Sequence, residues 1–69
     1  MIRLDSSVIE SVGYNHVSQG LIVKFKSGRE YLYSNVPFRL YEDFINAQSS
    51  GRYFNSYIKE AFPVRELET

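Results

Sequence analysis

Leu21-Ile22-Val23-Lys24-Phe25-Lys26-Ser27-Gly28-Arg29-Glu30-Tyr31-Leu32-Tyr33-Ser34 is the stretch on which the fold turns. Leu21, Val23 and Phe25 alternate with Ile22, Lys24 and Lys26, the period-two pattern of a strand with one buried face. Ser27-Gly28 marks a turn, because glycine accepts the positive φ of tight hairpins. A second strand follows over residues 29–34, centred on Tyr31-Leu32-Tyr33. The turn admits two registers. A two-residue loop, Ser27-Gly28, sets Tyr31 and Tyr33 beside Ile22, Lys24 and Lys26 on a basic aromatic face. A three-residue loop, Lys26-Ser27-Gly28, places the two tyrosines with Leu21, Val23 and Phe25 and sets Lys24 opposite Glu30. The second is favoured, since Ser is a poor opening residue for a type I′ turn and the opposite charges pair across the strands.

Working towards the N-terminus, residues 15–20 form a polar connection and residues 8–14 a weaker strand, diluted by Glu10, Ser11 and Gly13 and read as an edge. Residues 1–7 are a polar lead-in apart from Ile2 and Leu4. Towards the C-terminus the period changes. Pro37 suits a first helical turn, and Leu40, Tyr41, Phe44, Ile45 and Ala47 follow at helical spacing. Ser49-Ser50-Gly51 interrupts, with either serine able to cap a second helix. Phe54, Tyr57, Ile58 and Ala61 then recur at i, i+3, i+4, i+7 until Pro63. The order β-β-β-α-α predicts an α+β fold, a three-stranded antiparallel sheet followed by two helices packed on one face, in a single domain over residues 1–69. Val23, Phe25, Phe44, Phe54, Tyr57 and Ile58 are its expected core.

A chain of 69 residues buries only about 60% of the surface its unfolded form exposes and, lacking cysteine, has neither disulfide staples nor thiolate ligands. Six Tyr and five Phe compensate, because each aromatic removes about 150–250 Å² from water when buried. Net charge is zero, which argues against a polybasic membrane anchor, but the distribution is uneven. The hairpin carries Lys24, Lys26 and Arg29 against Glu30, whereas the last ten residues carry Glu60, Glu66 and Glu68 against Arg65. With no long apolar run and no signal-peptide core, the expectation is a cytoplasmic protein without a membrane segment.

Catalytic chemistry finds little support. His16 is the only histidine and lies in a polar connection. Asp5-Ser6-Ser7 offers hydroxyls without a base or oxyanion donors. Glu42 and Asp43 are consecutive on a helix and point about 100° apart. The four glycines are isolated, so no phosphate loop exists. The expectation is no enzyme, no cofactor, no metal and no small-molecule substrate. Binding chemistry is better represented. Lys24, Lys26 and Arg29 interleave with Tyr31 and Tyr33, the combination of cations and rings that single-stranded nucleic acid requires. Arg52 and Lys59, seven apart on the second helix with Tyr53 nearby, supply a second basic ridge. A core role for the tyrosines and a solvated helix face for the ridge are the plainer readings of the same residues.

The ordered set Ser6-Ser7, Val12-Gly13-Tyr14, Leu21-x-Val23-x-Phe25, Gly28, Tyr31-x-Tyr33, Val36-Pro37, Tyr41, Ala47, Ser49-x-Gly51, Phe54-Asn55, Ile58 and Pro63 resembles the KTSC domain. That module is named for the C-terminus of some lysyl-tRNA synthetases and also stands alone in bacteria. The resemblance runs from about Leu4 to Arg65. It implies a non-catalytic domain and RNA binding, tRNA or single-stranded, associated with Tyr31-x-Tyr33. No synthetase catalytic domain is read within these 69 residues, so aminoacylation by them is not expected. A protein-interaction adaptor is the alternative.

Overall fold

The computed structural model describes residues 2–67. Five strands form one antiparallel meander in the order β1 (Ile2–Arg3), β2 (Ile9–Asn15), β3 (Gly20–Phe25), β4 (Glu30–Tyr33), β5 (Val64–Leu67). Between β4 and β5 come α1 (Phe38–Ile45), a short α2 (Ser50–Tyr53) and a π-helical segment (Phe54–Ile58) that continues it. The α+β class and the two helical elements match expectation, but the sheet has five strands rather than three. Both additions lie outside the stretch read from alternation. β1 is two residues long, pairing Ile2 with Val12 and Arg3 with Ser11, too short to show a period. β5 is solvent-facing along most of its length and is held by its ladder to β4. Its backbone, not an apolar pattern, makes it a strand. Consequently β2 is an interior strand and not an edge. Glu10, one of the residues that weakens its pattern, sits where the β2–β3 register shifts between Ile9 and Ser11, the position of a bulge.

The hairpin adopts the three-residue loop. Tyr33 pairs with Leu21, Tyr31 with Val23, and Glu30 with Lys24. Phe25 N donates to Arg29 O at 2.9 Å and Gly28 N to Phe25 O at 2.9 Å, closing the turn. Gly28 has φ +99°, the left-handed conformation that makes glycine the fitting residue there. Leu21, Val23, Tyr31 and Tyr33 therefore face the helices.

Helix α1 starts after Pro37 and buries Tyr41 and Phe44. The Tyr14 hydroxyl donates to the Val36 carbonyl at 2.6 Å, fastening the chain just before it. Ser49 caps α2, its Oγ accepting from Arg52 N at 3.3 Å. The Phe54 ring meets those of Phe25, Tyr33 and Phe44 at centroid distances of 5.5, 5.5 and 6.3 Å. Of the expected core, Val23, Phe44, Phe54 and Ile58 are buried and Phe25 is half-buried. Tyr57 is not core: it is 57% exposed. The π turn is the reason. Lys59 N donates to Phe54 O at 2.9 Å, an i→i+5 bond. The wider turn keeps positions i and i+4, Phe54 and Ile58, on the buried face and swings i+3 away from it.

Candidate functional site

The hairpin tip is tied down at its base, where Lys26 N donates to Val8 O at 2.8 Å. It therefore overhangs the segment entering β2 and faces the end of the second helical element. A cleft of about 680 Å³ opens between them. Its polar lining comes from Lys26 and Arg29 on the tip, Asn55 and Lys59 on the π segment and its end, and Ser7. Phe25, Tyr31, Val8 and Val64 supply its apolar walls. Among the described residues, no carboxylate lines it. A second depression shares Ser7, Val8, Phe25 and Asn55 with the first and continues past Asp5 and Ser6 to Ser49, Gly51 and Arg52. A third shares Ser49, Arg52 and Ser56 with the second and ends on Tyr53 and Tyr57. The three form one continuous path around the second helical element.

Arg29 is exposed, and its guanidinium is held above its ordinary pKa first by the neighbouring Tyr31 hydroxyl and then by Glu66. It stays charged at any physiological pH. Tyr33 is 4% exposed, and burial, followed by the neighbouring Tyr31, pushes its hydroxyl above the usual phenol range. Burial also raises the hydroxyls of Tyr41 and Tyr53, with Asp43 and Tyr57 adding to the shift at Tyr53.

The family model of the KTSC domain matches residues 5–62. The chain belongs to the KTSC domain family. A protein of Tsukamurella paurometabola is 39% identical over 62 residues, covering 90% of this chain and 92% of its own. A lysine–tRNA ligase of Nostoc punctiforme is 37% identical over 67 residues, which span 97% of this chain and 12% of the ligase. The crystal structure of a KTSC domain protein from Yersinia pestis superposes with a TM-score of 0.90 at 36% identity, covering 96% of this chain and 93% of that one.

Within this KTSC domain, Lys26, Arg29, Tyr31, Tyr33 and Lys59 meet in the first cleft, and Arg52 and Tyr53 lie further along the path. Lys24 does not join them. Its position in β3 points it to the face away from the helices, where its Nζ lies 3.5 Å from Glu10 Oε2. Tyr33 lies at the cleft floor with its ring packed on Phe54, so it has no free face for stacking. Tyr31 keeps part of its surface at the rim and packs edge-on against Phe25 at 5.7 Å. Tyr53 is half-buried, stacked on Phe44 at 6.0 Å with Tyr57 beside it at 4.7 Å. Glu68 of the acidic tail lies outside the described residues.

Sequence reasoning placed Asn55 on the ridge with Arg52 and Lys59 but did not place Ser6, Ser7 or Ser49 on the site. Ser6 Oγ accepts from Val8 N and Ile9 N at 3.1 Å each, which fixes the bend that brings Ser7 to the cleft. The signal was present in the family pattern. Ser6-Ser7, Tyr31, Tyr33, Ser49, Gly51 and Asn55, which carry much of the resemblance, all line this path. His16 is remote from it, between Tyr14 and Phe38 at 5.1 and 4.8 Å.

Proposed function

We propose that this KTSC domain is a non-catalytic module that binds single-stranded RNA or an unpaired region of a tRNA along the path around its second helical element. The observation that carries this reading is the segregation of charge. The whole chain is neutral, with eight cations and eight acids. The path nevertheless gathers Lys26, Arg29, Arg52 and Lys59 against Asp5 as the only lining carboxylate among the described residues. A basic track flanked by aromatic rings fits a phosphate backbone with bases turned to one side. The lysine–tRNA ligase relatives, in which a matching segment accompanies an enzyme that acts on tRNA, favour the same ligand. The hydroxyls along the path have no imidazole near them, since His16 is elsewhere, and this favours binding over catalysis. Among the described residues, no group of three or more His, Cys, Asp or Glu side chains is placed to hold a metal ion. No helix among them is long and apolar enough to cross a membrane.

One observation favours a protein ligand instead. Val8 and Val64 are more than half exposed at the first cleft, which gives it an apolar wall. A mobility-shift titration of a random RNA oligonucleotide pool at low ionic strength separates the readings. Binding that weakens as salt rises is expected. Complete absence of binding refutes the RNA reading and leaves the adaptor.

A further inference from the structure

The π segment leaves a large aromatic ring in solvent that an α-helix of this sequence would have turned inward. Tyr57 is 57% exposed, yet it is not an isolated surface residue. Its ring lies 4.7 Å from that of Tyr53, which is itself stacked at 6.0 Å and 19° on the buried Phe44. Tyr57 is thus braced from beneath by a column of rings anchored in the core. Arg52, Gln48, Ser49 and Ser56 border the same depression, and none of the described residues lining it is acidic. Asp43 is close enough to Tyr53 to raise its hydroxyl pKa, which leaves the Arg52 side as the favourable approach for an anion. π turns within helices occur disproportionately at functional sites.

We infer that Tyr57 and Arg52 form a second nucleotide subsite, in which a base stacks on the exposed Tyr57 ring while its phosphate is held by Arg52. This rests on the RNA reading and extends it. The strand leaves the basic first cleft, crosses the serine-lined middle depression and ends on the ring column. Lys59 and Arg52 are seven residues apart, about 10 Å along a helix axis. At about 3.4 Å per stacked nucleotide, that separation spans three steps or about four nucleotides, the lower end of the range for single-strand-binding OB folds. Stacking tolerates any base, so the subsite adds affinity and length dependence, with little sequence preference.

The test is fluorescence anisotropy of labelled octa-adenylate with the wild-type domain, Tyr57→Ala, Tyr57→Phe and Arg29→Ala. Tyr57→Ala should weaken binding about 5- to 140-fold, the value of one base–aromatic stack, while Tyr57→Phe retains the ring and stays within about twofold. Arg29→Ala weakens binding through the first cleft. NMR shift mapping of the wild type needs no variant: octa-adenylate should shift the Tyr57 ring and the Arg52 side chain together with Lys59 and Asn55. Wild-type affinity in Tyr57→Ala, or shifts confined to the first cleft, overturns the subsite and leaves the RNA reading standing. Absence of octa-adenylate binding by the wild type overturns both.

Discussion

Replacing Lys59 by Ala and, separately, Lys24 by Ala asks whether the charge segregation described above has functional consequences. The two lysines carry the same charge and neither is buried. They differ in place. Lys59 lines the cleft, whereas Lys24 points from the opposite sheet face towards Glu10. Four cations line the path. If each neutralises one phosphate of a single strand, log K falls with log salt with a slope of about −2.8. Raising salt from 50 to 200 mM then weakens binding about 50-fold. Lys59→Ala removes one contact, so the slope becomes about −2.1 and the same salt step costs about 20-fold. At 50 mM the variant should bind about eightfold more weakly, the release term of a single contact. Lys24→Ala should leave both slope and affinity near wild type.

Anisotropy titrations of one oligonucleotide at four or five salt concentrations measure both quantities. Because phosphate contacts carry no base information, the loss in Lys59→Ala should be alike for oligo-adenylate and oligo-uridylate. The refuting result is equality of the two variants. If Lys24→Ala lowers affinity and slope as much as Lys59→Ala, attraction follows the net count of cations and the path around the helix has no special part in it.

Three further outcomes follow from the packing. Phe54→Ala should destabilise the domain by about 3–5 kcal/mol in urea unfolding, since a 5%-exposed ring touching three others leaves a cavity, whereas Tyr57→Ala should change stability by about 0.5 kcal/mol or less. Gly28→Ala should lower the urea midpoint by the equivalent of about 1–2 kcal/mol; a Cβ there meets nothing within 4 Å, so the whole cost is the φ of +99°. Raising the pH should leave stability level until about the ordinary tyrosine value of 10.0 and lower it beyond. Tyr33, Tyr41 and Tyr53 all have raised pKa values when folded, so the unfolded chain loses its phenolic protons first and is favoured as pH rises through the folded values. Tyr33→Phe should flatten that decline, and an unchanged decline in the variant refutes the assignment.

What the sequence discloses depends on whether a residue's role is set by its neighbours in the chain or by partners brought from elsewhere. The β3–β4 hairpin was legible because its register follows from local facts: Gly28 in the loop, Lys24 opposite Glu30, and a shared apolar side for Val23 and Tyr31. α1 was legible for the same reason, with Tyr41 and Phe44 at helical spacing. β5 was hidden because Arg65 and Glu66 are exposed and its stability comes from β4's backbone. A 3.6-residue period places Tyr57 on the buried face, but the segment forms an i→i+5 turn that carries it into solvent. The site shows the same division. Counting cations along the hairpin groups Lys24 with Lys26 and Arg29, but charge in a strand belongs to one face or the other. Only the register separates Lys24, which faces away, from the loop residues that overhang the helix. Burying Tyr33 removes it as a stacking platform, yet it is also what turns the hairpin tip towards Lys59 and Asn55. The ring read as ligand-binding thus serves to bring the binding cations together, and the ring read as core becomes the one free to stack.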